Sequence, residues 1–108
     1  MKKVKVFNDL EAAFNAIKEG TARKVVYKDL GIALVRKNNE LFAIQDQCPH
    51  AKASLSVGII NAFNEIVCPL HSYCYDLKTG REKDQKSADA KVWKVIVEEN
   101  GIFIELDI

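Results

Sequence analysis

Charged and apolar residues alternate through Lys2-Lys3-Val4-Lys5-Val6-Phe7, a period of two that predicts a short strand over Val4 to Phe7. The period then changes. Leu10, Ala13, Phe14 and Ile17 recur along one helix face, Asn8-Asp9 offers an N-cap and Gly20 a stop, so a helix is predicted from Asp9 to Lys18. Three runs rich in β-branched and aliphatic residues follow, Lys24 to Lys28, Ile32 to Arg36 and Leu41 to Gln45. Asp29-Leu30-Gly31 and Lys37-Asn38-Asn39-Glu40 separate them as turns, and the stretch reads as an antiparallel meander. Near the end, Val92 to Val97 and Ile102 to Leu106 flank Asn100-Gly101, a pair suited to a tight hairpin.

Between these blocks the strand rhythm fails. From about Asp46 to Glu82 the chain collects both of its 2 prolines, all 3 cysteines and both of its 2 histidines. The polar stretch Arg81 to Lys91 has little apolar surface to anchor it and is predicted to be a mobile surface loop. Trp93, in a strand, is expected in the core, and the helix is expected to cover the sheet.

Bulk properties narrow the classes of function. A chain of 108 residues, 48% of them hydrophobic, is the size of a single domain over residues 1–108. Its 16 Lys and Arg against 15 Asp and Glu give no strong positive field, which argues against nucleic acid and an anionic membrane as partners. The start lacks the continuous apolar run of a signal or membrane span, and 3 cysteines cannot all pair within one chain. A cytoplasmic protein using thiols for metal binding or catalysis is the expectation.

Cys48-Pro49-His50 is followed, after the 17 residues Ala51 to Val67, by Cys68-Pro69-Leu70-His71. Each box presents one soft thiolate and one borderline imidazole, and each cysteine is followed by a proline that stiffens the backbone. These four residues are the candidate metal ligands. The same donors suit a tetrahedral zinc ion in an interaction module, although zinc fingers do not usually open with a Cys-x-His box. A Cys-His catalytic pair is a further alternative, but no oxyanion site or third orienting group accompanies it.

The two boxes and their spacer resemble the cluster-binding signature of the Rieske family. Leu55 and Gly58 match positions after the first box, and Tyr75-Asp76-Leu77-Lys78-Thr79-Gly80 resembles the aromatic-Asp-x-x-Thr-Gly stretch after the second. The resemblance implies an all-β Rieske-type antiparallel sandwich or barrel with one short N-terminal helix. A cluster-binding subdomain, about residues 46–82, would hold one 2Fe-2S cluster. It also implies that Cys48 and Cys68 bind an inner iron while His50 and His71 bind an outer one. Two neutral imidazoles in place of two thiolates leave the oxidised cluster uncharged rather than doubly negative, which eases its reduction. Rieske centres accordingly span about −150 to +300 mV against about −400 mV for plant-type clusters.

Departures from the family pattern add detail. Ala53 and Leu70 stand where high-potential members carry disulfide-forming cysteines, and Tyr73 stands where those members carry a hydroxyl two residues after the second histidine. Tyr75 falls where an aromatic residue can donate a hydrogen bond to a cysteine sulfur. A potential low in the Rieske range, lifted slightly by Tyr75, is expected. Lys52 and Ser72 replace glycine and Ser54 replaces proline, so looser loops are expected, with the Lys52 and Ser72 N–H groups available to the sulfides. Cys74 is expected to be a structural thiol and Lys52 a solvated charge.

The resemblance implies single-electron transfer from a reductase to a terminal oxygenase or reductase, through redox protein partners and without substrate turnover by this chain. The alternative within the family is the small subunit of an NAD(P)H-dependent nitrite reductase, partnered by its large subunit. Cys68-Pro69-Leu70-His71 tilts slightly towards that role.

Overall fold

The computed structural model describes residues 1–107. Six strands form one curled antiparallel sheet in the order β1-β8-β7-β4-β3-β2, and a two-stranded sheet, β5-β6, stands apart from it. The strands are β1 (Lys2–Phe7), β2 (Thr21–Tyr27), β3 (Leu30–Lys37), β4 (Glu40–Gln45), β5 (Glu65–Val67), β6 (Cys74–Asp76), β7 (Val92–Glu98) and β8 (Gly101–Leu106). One helix, α1 (Leu10–Ala16), and one 3₁₀ turn, Leu55–Val57, complete the regular structure. The all-β architecture with a short N-terminal helix is as expected from the sequence.

The predicted helix is shorter than its periodicity. Asp9 caps it, its Oδ1 accepting the Ala12 N–H at 2.8 Å, but the helix stops at Ala16 rather than running to Lys18. Gly20 is not its terminator. Arg36 of β3 reaches across instead, donating to the carbonyls of Phe14 at 3.2 Å and Ile17 at 3.0 Å, so a cation satisfies the last turn. Ala13 and Ile17 are buried and Phe14 is half-buried, whereas Leu10 is exposed.

Turn chemistry also differs in place. Lys37 pairs with Glu40, and the intervening Asn38 and Asn39 have φ of 56° and 57°, the two positive dihedrals of a type I′ turn. In the last hairpin Glu98 pairs with Gly101, so the loop residues are Glu99-Asn100 and not Asn100-Gly101. Gly101 is needed one step later: its φ is 153° and a Cβ there would lie 2.8 Å from Lys5 Cε.

The middle of the sheet places the site. In β3, Ile32 and Leu34 face a core with Ala13, Ile17, Ile102, Ile104 and Leu106. The alternate residues Ala33 and Val35 face a second core containing Cys48, Leu55, Ile66, Cys68, Tyr75 and Leu77. Both faces of β3 are therefore covered, which is why its sequence reads as a continuous apolar run. The cysteine-bearing segment is packed onto one face of the sheet as a second layer. Trp93 is half-buried and packs against the first of these cores, as its place in a strand predicts, and its indole N–H donates to Asp107 Oδ1 at 3.3 Å.

Candidate metal centre

Two loops of matching construction carry the four candidate ligands. In the first, the Cys48 N–H donates to the Ala53 carbonyl at 2.8 Å and the Lys52 N–H to the Cys48 carbonyl at 3.0 Å. In the second, the Cys68 N–H donates to the Tyr73 carbonyl at 2.8 Å and the Ser72 N–H to the Cys68 carbonyl at 3.1 Å. Lys52 and Ser72 have φ of 58° and 61°. The loops are thus as tightly wound as glycine would allow, contrary to the expectation of slack. Their N–H groups are engaged with cysteine carbonyls rather than free for sulfides. Loop closure overrides the ordinary preference of a side-chain-bearing residue for negative φ.

Neighbouring segments lock these loops down. Asp46, beneath the first loop, accepts from the Ser54 hydroxyl at 2.6 Å and the Ser56 N–H at 2.9 Å, while the Leu55 N–H donates to its carbonyl at 2.6 Å. Gly58 lies so close to β5 that a Cβ would sit 1.9 Å from the Val67 carbonyl oxygen. After β6, the Asp76 carboxylate accepts from the Lys78 and Thr79 N–H groups, each at 2.9 Å, giving the Asp-x-x-Thr-Gly stretch a physical role as a capped turn.

Cys48 and Cys68 are each 1% exposed, His50 is half-buried and His71 is exposed. The ligand atoms of Cys48, His50 and Cys68 all lie within 4.8 Å of one another. His71 falls outside that group, but its Nδ1 is 2.7 Å from His50 Nε2, so the fourth candidate adjoins the other three. His50 Nδ1 faces Cys48 Sγ at 3.7 Å. Tyr73 stacks on the His50 ring with centroids 3.9 Å apart and an interplanar angle of 19°; the sequence marks this tyrosine only as the residue at the place of the family's hydroxyl.

Burial pushes the Cys48 thiol up, but the Tyr75 hydroxyl and the backbone N–H groups of His50 and Ala51 outweigh it and hold it below the ordinary value. For Cys68, burial prevails over the N–H groups of Leu70 and His71, and the nearby Cys48 adds to the rise. Each loop therefore turns backbone N–H groups towards its own sulfur, and these favour the thiolate against the burial that opposes it, with the balance reversed between Cys48 and Cys68. Tyr75 is wholly buried with its hydroxyl 3.3 Å from Cys48 Sγ. Burial first, and then the sulfur, push that phenol above its usual range.

Cys74 lies in β6, half-buried, with Sγ 3.4 Å from the Ser72 carbonyl oxygen and outside the ligand group. All three cysteines are free.

The stretch Arg81 to Lys91 is not the loose loop its polarity predicts. Glu82 is buried and its Oε1 accepts the Lys86 N–H at 2.6 Å. Ala90 is also buried, and its N–H donates to the Gly80 carbonyl at 2.8 Å. Between those anchors Ser87 Oγ comes 2.9 Å from the Tyr75 hydroxyl. No apolar pattern signals this strap, because polar side chains bonded to backbone hold it.

The donor set fits a 2Fe-2S cluster. Two buried thiols with N–H groups turned to their sulfurs suit iron and sulfide, and two imidazoles at the outer side complete a mixed set. A curled antiparallel sheet presenting this pair of loops defines a small iron-sulfur protein. The comparisons with known proteins agree: the family model for the Rieske 2Fe-2S domain matches residues 10–97, and the chain belongs to that family.

Among curated proteins the chain is 37% identical over 87 residues to the 3-phenylpropionate/cinnamic acid dioxygenase ferredoxin subunit of Photorhabdus laumondii, covering 80% of this chain and 82% of that one. It is 35% identical over 91 residues to the Escherichia coli protein of the same description, covering 83% and 85%. Among solved structures, the ferredoxin of carbazole 1,9a-dioxygenase from Nocardioides aromaticivorans superposes with a TM-score of 0.81 at 25% identity, over 96% of this chain and 97% of that one. Family membership sets aside the zinc and Cys-His catalytic readings.

Proposed function

We propose that this chain is a one-electron carrier between a reductase and the terminal oxygenase of a dioxygenase system, with Cys48 and Cys68 holding the inner iron and His50 and His71 the outer iron. The observation that carries the reading is the division of exposure across twin loops, with thiols buried and imidazoles turned outward. A bound 2Fe-2S cluster supplies the site for one electron. The protein does the rest. Its buried thiols keep water from the inner side, Tyr75 offers a hydrogen bond to Cys48, Tyr73 fixes the plane of His50, and exposed His71 gives a partner close approach.

A potential low in the Rieske range follows from Ala53 and Leu70, which form no disulfide, and from Tyr73, which stacks on His50 from the place where high-potential members carry their hydroxyl. The unit is a single domain over residues 1–108 with about 46–82 holding the cluster, and the cytoplasm is the proposed location. Among the described residues no helix is long and apolar enough to cross a membrane. Relatives at 35–37% identity are dioxygenase ferredoxin subunits, and a ferredoxin at 26% identity is seen in complex with reduced oxygenase in carbazole 1,9a-dioxygenase. The nitrite reductase reading rests on one tetrapeptide, and its structural counterpart, at 24% identity, speaks to the fold alone.

The test is to purify the protein anaerobically, record its visible and electron paramagnetic resonance spectra, and mix the reduced form with a dioxygenase oxygenase component or a nitrite reductase large subunit. A coloured protein whose reduced spectrum shows coupling to two nitrogens, reoxidised by the oxygenase, is expected. A colourless protein, a four-sulfur spectrum, or reoxidation by nitrite reductase alone would overturn the proposal.

A further inference from the structure

Three oxygens and one sulfur form a line leading away from the metal centre. Cys48 Sγ is 3.3 Å from the Tyr75 hydroxyl, which is 2.9 Å from Ser87 Oγ, which is 2.9 Å from the Ala88 carbonyl oxygen. Only the two hydroxyls can supply protons to this line when Cys48 is a thiolate, because a thiolate and a carbonyl are acceptors only. Two protons must then serve three contacts.

With Cys48 as a thiolate ligand, the Tyr75 proton belongs on the sulfur, since a charged acceptor makes the stronger bond. The tyrosine oxygen is left as an acceptor in a buried place. If Ser87 kept its proton on Ala88, two hydroxyl oxygens would face each other at 2.9 Å with no proton between them. Rotation of the Ser87 hydroxyl towards Tyr75 removes that conflict, and the Ala88 carbonyl, in an exposed residue, takes its bond from water instead. With Cys48 as a thiol, the S–H can donate to Tyr75, Tyr75 to Ser87, and Ser87 to Ala88. The same heavy atoms thus carry two proton orders, chosen by the state of the sulfur.

We propose that Ser87 is a positioning residue that holds the Tyr75 proton on Cys48 Sγ and so sets how far Tyr75 raises the reduction potential of the centre. Hydrogen bonds to the sulfurs stabilise the more negative, reduced state. A hydroxyl that accepts from Ser87 is a better donor onward, through the mutual polarisation of linked hydrogen bonds.

The strap is built to keep Ser87 there. Lys86, its neighbour, is tied to buried Glu82, and Gln85 Nε2 donates to the Glu82 carbonyl at 2.7 Å. At the far end a Cβ on Gly80 would meet the Ala90 carbonyl oxygen at 1.9 Å, so the two ends of the strap are in direct contact.

This inference rests on the ligand assignment proposed above. Its test is a redox titration of the cluster-loaded wild type, Ser87→Ala, Ser87→Thr, Tyr75→Phe and the Ser87→Ala/Tyr75→Phe double variant, with cluster content measured alongside. Tyr75→Phe is expected to lower the potential, and Ser87→Ala to lower it by a smaller step, under the tenfold change in the reduction equilibrium that corresponds to about 59 mV for one electron. Ser87→Thr keeps the wild-type value. The double variant matches Tyr75→Phe alone, because Ser87 acts only through the phenol. An unchanged potential in Ser87→Ala, or additive shifts in the double variant, with normal cluster content would overturn this inference and leave the ligand assignment standing. A wild type that binds no iron-sulfur cluster would bring both down.

Discussion

Lys52 and Ser72 hold the same left-handed backbone conformation at the same place in the two cysteine loops, with φ of 58° and 61°. Each returns its N–H to the carbonyl of the cysteine that opens its loop. The turn, not the residue type, dictates the conformation, and the chain tolerates the strain because a second backbone bond, from the cysteine N–H to the Ala53 or Tyr73 carbonyl, closes each loop.

That strain is removable. A non-glycine residue in the left-handed region costs about 1–2 kcal/mol, and glycine gives back about 0.5–1 kcal/mol through the greater freedom of the unfolded chain. Lys52→Gly and Ser72→Gly are each expected to raise stability by about 0.5–1 kcal/mol, seen as a higher urea midpoint at constant slope. Ser72→Val, β-branched, is expected to lower it by more than about 1 kcal/mol. Less stable glycine variants would show that the Lys52 and Ser72 side chains support the loops.

Asp46 makes the loop base sensitive to acid. Burial pushes its carboxyl up, but the Ser54 and Ser56 hydroxyls, the Ser56 N–H and Lys24 together hold it below its ordinary 3.8. A carboxylate with a depressed folded value contributes stability that is complete above the unfolded value and is lost as pH falls through the folded one. Wild-type stability is therefore expected to fall as pH drops below about 4. Asp46→Asn should lose about 1–3 kcal/mol at neutral pH, because one of its oxygens becomes a donor facing Ser54 or Ser56. It should also flatten the acid limb. Thermal unfolding from pH 3 to 7 reads both effects, and an acid limb of equal slope in the two proteins would exclude Asp46 as its source.

The boundary between what the residues announce and what they hide follows the kind of force involved. The strands are readable because β-branched and apolar runs with turn residues between them mark a sheet, and so is the grouping of Cys48, His50 and Cys68 with His71 beside them, because thiol and imidazole in two matching boxes have few other uses. The end of α1 is not, since Arg36, twenty residues past Ala16, terminates it in space. Nor is the strap from Arg81 to Lys91, whose anchors Glu82, Ser87 and Ala90 carry no apolar period. The stacking of Tyr73 on His50 joins two loops, and pairings of that range leave no local trace.

Replacing a histidine by cysteine tests the charge argument directly and separates the two imidazoles. Each His→Cys change exchanges a neutral donor for an anionic one, adds one negative charge to the centre, and must lower its potential towards the roughly −400 mV of four-thiolate clusters. The size of the fall depends on how well water screens the new charge. His71 is exposed, so a thiolate there is attenuated by solvent, whereas His50 is half-buried under the Tyr73 ring and screened less. His50→Cys is therefore expected to lower the potential further than His71→Cys, each read by redox titration on the fraction that retains visible absorption. Equal falls would mean that both positions are solvated alike in the loaded protein. An unchanged or raised potential in both would mean that neither histidine is a ligand.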